Sequence, residues 1–282
     1  MHRRSLLFTI FALIVFAACS DDDESPHVPA TPVPETLVAA DENGDVYTVD
    51  AATGADVLLI DTSMDNSGTI VDLGKVSSMV YAPAMSRWLL GTGGTSDCGG
   101  CIQLLNTATG VATTLGAGVG EGISGLAINP ADGRIYTFSS DATSGPMWEV
   151  DPADGSFTEL FDNVETGGSA GNGVTFSGGV LYHIGDDELY SVDPATGNST
   201  KIATLSFVGF PAFQGSRQPI GSLATRASDG AVFGILKDGG GQNSTTATYL
   251  VRVNVATGET TNVGANTNLL DGLAFVPTAA VP

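Results

Sequence analysis

A nine-residue phrase recurs along this chain and constrains its fold more than any other feature of the sequence. Each copy begins with apolar and aromatic residues, which are typical of a β-strand. Each ends in a turn, because an Asp or Asn side chain can bond to its own main chain and the final Gly accepts a positive φ. The phrase therefore predicts a strand, a tight turn and a second strand. It reads VYTVDAATG at 46–54, MWEVDPADG at 147–155 and LYSVDPATG at 189–197, with looser copies at 102–110 and 250–258.

A second phrase accompanies the first and completes a repeating unit. It reads SMVYAP at 78–83, GLAINP at 125–130, GVTFSG at 173–178 and SLATRA at 222–227, and one short apolar run separates it from the copy that follows. Each unit thus contains four strands, termed A to D, over roughly 40 to 60 residues, a period typical of propellers and solenoids. Four antiparallel strands in each unit favour the propeller.

The two ends of the repeat region predict how the ring closes. The first unit begins at Leu37 with strand B, and its missing strand A matches GLAFVP at 272–277. A last strand that returns to the first blade removes sheet edges at which other chains could pair. We therefore predict an all-β fold: a five-bladed β-propeller of four-stranded antiparallel blades over residues 37–282, closed by the C-terminal strand. Small residues suited to a crowded axis recur in strand A at Val80, Ala127, Thr175, Ala224 and Ala274.

These phrases also carry a resemblance. The strand C phrase LYSVDPATG together with the strand A phrase GLAFVP resembles bacterial β-propeller proteins of the NHL-like and YncE-like kind, which include repeat families of uncharacterised function. The resemblance covers Leu37 to Pro277 and implies the architecture. It implies little about activity, because one fold hosts many functions.

The first eighteen residues are predicted to be a signal peptide. Arg3 and Arg4 precede an apolar run from Leu6 to Phe16 that is too short to span a bilayer comfortably. The ending FAAC resembles the lipobox of bacterial lipoproteins, which implies cleavage after residue 18 and lipidation of Cys19. The acyl chains would then anchor the protein in a membrane.

Residues 19–36 are predicted to be a tether, since an acidic run is followed by prolines without an apolar period. Ser20 after the lipidated Cys19 resembles outer-membrane sorting, and SDDDE at 20–24 resembles acidic tags for export to the cell surface. A merely solvated linker is the alternative. The expected location is the cell envelope, as an outer-membrane lipoprotein that could be surface-exposed.

The net charge of −21 argues against a nucleic-acid partner, since phosphates require a basic surface. It is compatible with cation binding, and equally with simple solubility. The CGGC motif places Cys98 and Cys101 in one loop, where a structural disulfide is expected outside the cytoplasm. His183 is expected to be buried in packing. Tyr47, Trp148 and Tyr190 hold equivalent strand C positions and are expected to pack between blades.

The loops predict where a ligand would bind. The A–B and C–D turns are short and alike, whereas the B–C and D–A connections vary, and long loops on a rigid scaffold usually carry binding. In a propeller these two sets lie on opposite faces. The longer B–C connections span 92–101, 140–146 and 237–248, and the longer D–A connections span 62–76, 162–171 and 205–219.

The residues that open each strand A are predicted to form a polar ring at the tunnel mouth: Ser77, Ser124, Asn172, Gly221 and Asp271. Such a ring could hold a cation, ordered water or a polar ligand group. Lactonase-like propellers place calcium at a similar mouth, so Ca²⁺ is one candidate, although the ring offers fewer oxygens than calcium prefers. No other cofactor is expected.

Two functions follow as hypotheses, and a spacer or scaffold without a small ligand is a third possibility. The first is an envelope lipoprotein whose propeller binds a protein, a glycan or a small ligand. The alternative is a calcium-dependent hydrolase or lyase, lactonase- or glycosidase-like, with Asp271, Glu121 and Asn172 at the tunnel mouth.

Overall fold

The computed structural model describes residues 33–62, 76–93, 98–139, 143–167, 172–215, 218–239 and 246–282. Within these ranges the regular structure is almost entirely extended. In chain order the strands are β1 (Glu35–Asp41), β2 (Val46–Val49), β3 (Asp56–Ile60), β4 (Val76–Ala82), β5 (Arg87–Thr92), β6 (Ile102–Leu105), β7 (Ala112–Leu115), β8 (Ala127–Ile128), β9 (Ile135–Phe138), β10 (Ser144–Val150), β11 (Phe157–Glu165), β12 (Asn172–Ser177), β13 (Val180–Gly185), β14 (Glu188–Val192), β15 (Ser199–Thr204), β16 (Ser206–Val208), β17 (Ile220–Thr225), β18 (Val232–Asp238), β19 (Ala247–Val253), β20 (Glu259–Ala265) and β21 (Leu270–Pro277).

The strands form five sheets, and this confirms the predicted five-bladed β-propeller. Blade 1 has the order β21-β1-β2-β3, blade 2 β4-β5-β6-β7, blade 3 β8-β9-β10-β11 and blade 4 β12-β13-β14-β15. Blade 5 has the order β17-β18-β19-β20, and β16 adds a fifth strand in parallel to its outer edge. Two short 3₁₀ helices, Pro83–Met85 and Thr278–Ala280, complete the described elements. No helix in the described ranges is long and apolar enough to cross a membrane.

The innermost strands surround the propeller axis. Each contacts its neighbours in the cyclic order β21, β4, β8, β12, β17 and back to β21. The Leu273 main-chain N–H donates to the Ser222 hydroxyl at 3.0 Å, which joins β21 directly to β17. The residues predicted at the crowded axis are all buried in these strands: Val80, Ala127, Thr175, Ala224 and Ala274.

Ring closure occurs as predicted, through β21 and β1. The pairing runs from Glu35 opposite Pro277 to Asp41 opposite Leu270. Beyond it, the Thr278 N–H donates to the Pro34 carbonyl at 2.8 Å. The first strand begins at Glu35, two residues before the boundary at 37 placed from the sequence.

The hydrophobic core consists of five layers, each lying between two adjacent blades. Val46 of blade 1, for example, packs in one layer with Met79 and Trp88 of blade 2. Because both faces of a blade are covered in this way, its inner strands are buried on both sides, whereas the outermost strands, such as β7 and β15, are largely exposed. The aromatic residues predicted to pack between blades are buried: Tyr47, Trp148 and Tyr190.

The repeated phrase forms the same C–D turn in every blade. The turn begins at an Asp or Asn, and the Gly four residues later donates its N–H to the carbonyl of that first residue, at 2.8 Å in each blade. In blade 4 the Asp193 carboxylate accepts from the Ala195 N–H at 2.9 Å, as expected for an Asp that caps its own turn. These turns make one face of the propeller nearly uniform.

Candidate functional site at the loop face

The opposite face carries the B–C and D–A connections, which differ from blade to blade. The B–C connection is only Asp186 and Asp187 in blade 4, whereas in blade 2 strand B ends at Thr92 and strand C begins at Ile102. Two predicted D–A ranges need correction. β11 continues to Glu165, so the connection from blade 3 begins later than residue 162, and β16 lies within the range 205–219. A long loop was expected in both places, but main-chain pairing with a neighbouring strand extends regular structure into it.

Several residues predicted at the tunnel mouth occupy β-bulges. Val76 pairs with Thr92 and Ser78 with Gly91, which leaves Ser77 as the extra residue. The same shift occurs around Gly221 in β17 and around Asp271 in β21. A bulge redirects the side chain of the extra residue and is common next to functional sites. Because the bulge recurs in three blades, the main chain at the tunnel mouth is irregular there, whereas the rest of each strand A pairs regularly.

The two serines of the predicted ring are bonded to the main chain. The Ser77 hydroxyl donates to the Ile123 carbonyl at 3.2 Å, which links blade 2 to blade 3. The Ser124 hydroxyl accepts from the Phe138 N–H at 3.1 Å. Asn172 begins β12 and pairs regularly with Gly185, but its side chain lies outside the described part of the structure. The ring therefore offers a ligand fewer open polar groups than its composition suggests.

The carboxylate of the ring has a partner within the protein. The Asp271 side chain is buried, and its Oδ2 lies 2.5 Å from Nζ of Lys237, at the end of β18. Glu42 lies 4.0 Å from the same ammonium. A Cβ on Gly221 would lie 2.6 Å from Asp271 Oδ1, so the absence of a side chain there makes room for the pair.

This ion pair bears on the calcium alternative. A calcium ion at Asp271 would have to displace the Lys237 ammonium. The sequence did not predict this ion pair. In the described ranges, no three His, Cys, Asp or Glu side chains are grouped so that they could hold a metal. The calcium site stays a prediction.

The disulfide predicted between Cys98 and Cys101 is present, with the two Cα atoms 5.8 Å apart. It shapes a loop that pairs with the D–A connection that follows in the chain. The Gly120 N–H donates to the Gly99 carbonyl at 2.8 Å, and the Val119 N–H donates to the Gly100 carbonyl at 3.2 Å. The disulfide loop and the glycine-rich segment 116–122 therefore form one structural unit on the loop face.

Glu121 belongs to this unit. Its carboxylate accepts from the Ser139 hydroxyl at 2.5 Å, at the end of strand B of blade 3. Asp271 is instead paired with Lys237 of blade 5, so these two candidate carboxylates have separate partners on different blades.

An aromatic cluster organises the connection between blades 4 and 5, and sequence reasoning missed it. The rings of Phe207, Phe210 and Phe213 lie 5.1–5.9 Å apart, and Tyr249 of β19 contacts Phe210 at 5.7 Å. The buried Asp238 carboxylate accepts from the Gln214 N–H at 3.0 Å and holds the end of this loop. The available signal was the spacing of three phenylalanines within SFVGFPAF.

His183 is fully buried between blades 3 and 4, as expected for a packing residue. Its ring meets the Phe138 ring edge-on, with the centroids 5.1 Å apart. Among the described residues, neither ring nitrogen has a hydrogen-bond partner of normal geometry. Burial lowers the pKa of His183 to about 3, and the Thr166 main chain, which lies near the ring, is a smaller, opposing influence. The imidazole is therefore neutral near pH 7.

No protein-family model and no curated protein matches the sequence. Among solved structures, the chain resembles one in the nidogen/laminin complex, with a TM-score of 0.52 and 11% identity over 86% of this chain and 98% of that one. At this identity the likeness shows the β-propeller fold alone. Two proteins from Bacteroides thetaiotaomicron align less closely.

The first is an auxiliary nutrient binding protein, with a TM-score of 0.45 and 11% identity over 78% of this chain and 46% of that one. The second is a structural genomics protein of unknown function, with a TM-score of 0.48 and 12% identity over 80% of this chain and 56% of that one. These weaker likenesses carry no argument about function.

Proposed function

We propose that this protein is an envelope lipoprotein whose β-propeller is a binding module, with the face of B–C and D–A connections as its working surface. The observation that carries the proposal is the difference between the two faces. One face repeats the same hydrogen-bonded turn in every blade. The other combines a disulfide-pinned loop with an aromatic connection, on a scaffold rigid enough to present them.

The first test is photo-crosslinking in intact cells from two matched positions. Ala117 lies exposed in the glycine-rich segment of the loop face, and Ala108 lies exposed in the C–D turn of the same blade, on the uniform face. A photoreactive residue would replace each in turn, and captured molecules would be identified by mass spectrometry. We expect a partner from position 117 and none from position 108. Equal capture from both positions, or capture from 108 alone, would contradict the proposed working face.

The membrane anchor is part of the same proposal and needs its own test. Residues 1–18, Cys19 and most of the tether lie outside the described residues, so the proposal rests on the sequence pattern alone. We expect the mature protein to begin at an acylated Cys19 and to fractionate with membranes. Cys19→Ser should abolish acylation, measured as the mass of the N-terminal peptide. An unmodified N-terminal peptide from the wild-type protein would disprove the anchor.

A further inference from the structure

The outer strand of blade 3 is irregular in a way that the other blades do not share. Gly145 pairs with Val164 and Met147 with Phe161, so Asp162 and Asn163 together oppose a single residue of β10. The register shifts again between Met147 and Trp148, because Met147 pairs with Phe161 but Trp148 pairs with Glu159. The described C–D pairings of the other blades contain at most one such shift. Because a bulge bends its strand, β11 is bent at Asp162 and Asn163, just beyond Phe161, whose ring lies against Gly197 in the C–D turn of blade 4.

A cleft of about 600 Å³ lies where β11 bends, between the outer strand of blade 3 and strand C with its C–D turn in blade 4. Asn163 and Glu165 of β11 form one wall, and Glu188 and Tyr190 of β14 form the other. Asn198, in the C–D turn of blade 4, lies at one end. None of the lining residues is aliphatic, which is unlike the usual apolar small-molecule pocket.

Tyr190 is held rigidly in this cleft. Its hydroxyl donates to Glu188 at 2.6 Å, and Glu188 also forms an ion pair with Lys201. A Cβ on Gly167 would lie 2.5 Å from the Tyr190 ring, so the main chain at Gly167 lies directly against that ring. Burial, and then the Glu188 and Glu165 carboxylates, raise the pKa of Tyr190, so its hydroxyl stays protonated and keeps a lone pair for a ligand.

The lining chemistry defines a class of ligand. The carboxylates accept hydrogen bonds, the asparagine amides both donate and accept, and the Tyr190 hydroxyl can accept. A hydroxyl group also donates and accepts, so a ligand dense in hydroxyls can satisfy this set, whereas an apolar ligand cannot. An acidic ligand would meet Glu165 and Glu188, of which Lys201 compensates only one. Charge-assisted hydrogen bonds from ligand hydroxyls to these carboxylates would be stronger than neutral ones.

We propose that this cleft binds a neutral oligosaccharide, with Glu165 and Glu188 accepting hydrogen bonds from its hydroxyls and the Asn163 amide both donating and accepting. The proposal rests on the proposed function and makes it more specific, since it names a ligand class and places its site on the outer wall between blades 3 and 4.

Calorimetric titration of the full chain, purified in detergent, tests the cleft. The probes are neutral hexose and N-acetylhexosamine oligosaccharides, hexuronic acid oligosaccharides and an oligolysine peptide. We expect saturable binding of a neutral oligosaccharide and none of the acidic ones. Glu165→Gln should weaken this binding by about tenfold or more, because one charge-assisted hydrogen bond is lost.

Glu159→Gln is the matched control, because Glu159 is also exposed on β11 but does not line the cleft. It should change the dissociation constant by no more than about twofold. Asn163→Ala, which removes an exposed amide from the cleft, should weaken binding as Glu165→Gln does.

Three outcomes would overturn the proposal: no neutral oligosaccharide saturates the protein, both cleft variants retain wild-type affinity, or oligolysine alone binds. The crosslinking at residues 117 and 108 does not depend on the cleft. If a partner is captured there but no oligosaccharide binds, the proposed ligand of the cleft is wrong and the proposed binding function of the loop face is still supported.

Discussion

The glycine that ends each repeated C–D turn is under two constraints, and Gly110 shows both. Its φ of 73° lies in the left-handed region, which disfavours any residue with a Cβ. In addition, a Cβ at this position would lie 2.3 Å from the Asp61 carbonyl oxygen of blade 1. The turn is therefore also a contact between blades.

Gly110→Ala should destabilise the protein much more than the same change at Gly133. Gly133 has a φ of 76° in a similar turn, but no atom lies within 4 Å of the position that its Cβ would take. We expect Gly133→Ala to cost about 1 kcal/mol of unfolding free energy from backbone strain. Gly110→Ala should cost about 1–3 kcal/mol more from overpacking. Urea unfolding measures both, and equal losses would show that the contact between blades contributes nothing.

His183 should make the protein sensitive to mild acid. Its pKa is lowered to about 3 in the folded state, so the unfolded chain binds a proton that the folded protein does not. Stability should therefore fall as the pH drops below the unfolded value near 6.5, by up to about 1.4 kcal/mol per pH unit. His183→Phe, which keeps an aromatic ring beside Phe138, should remove this slope.

Unfolding free energies of the wild type and of His183→Phe, measured from pH 7 to pH 5, test this directly. The difference between the two unfolding free energies at each pH gives the contribution of the His183 imidazole, because both proteins contain the same carboxylates. Parallel pH profiles would show that His183 does not titrate as its burial requires.

Among the elements, the disulfide loop and the segment 116–122 should behave as one unit that depends on the Cys98–Cys101 bond. The bond closes a very short loop, so replacing both cysteines with serine should cost only about 2 kcal/mol or less. The main-chain pairs from Val119 and Gly120 to the disulfide loop should weaken at the same time.

Hydrogen exchange measures that coupling. We expect faster exchange at Val119 and Gly120 in the double serine variant, with the C–D turn of the same blade, residues 106–111, as the internal control. Unchanged exchange at Val119 and Gly120 would mean that the glycine-rich segment holds its conformation without the disulfide.

For the whole molecule, ring closure should decide whether the fold exists at all. Truncation before Leu270 removes β21, which leaves one edge of β1 unpaired and uncovers the inner strands β4 and β17. We expect this variant to lose its cooperative unfolding transition and to aggregate, because an open sheet edge and an apolar layer are exposed together. Truncation after Pro277 keeps the whole of β21 and should retain a cooperative transition. A folded, monomeric protein without β21 would contradict the role of closure.

The repeat made the fold predictable because the same local chemistry occurs in every blade. Asp193 and Gly197 identify a turn from residue type alone, and the match of 272–277 to strand A was enough to predict closure. The disulfide was predictable because Cys98 and Cys101 are close in the chain.

The candidate sites were less predictable, since they depend on residues far apart in sequence. The placement of Asp271 at the start of strand A followed from the repeat, but its pairing with Lys237 did not. The cleft between blades 3 and 4 was not foreseen, because a double irregularity at Asp162 and Asn163 has no signature in residue type.

The sequence by itself determined the number of blades, the tight turns and the order of strands, because these follow from local propensity and from repetition along the chain. Only the tertiary structure decided which polar groups are free to meet a ligand. Bulges, contacts between blades and ion pairs such as Lys237 with Asp271 arise when distant strands are brought together, and their geometry is set by packing around the ring.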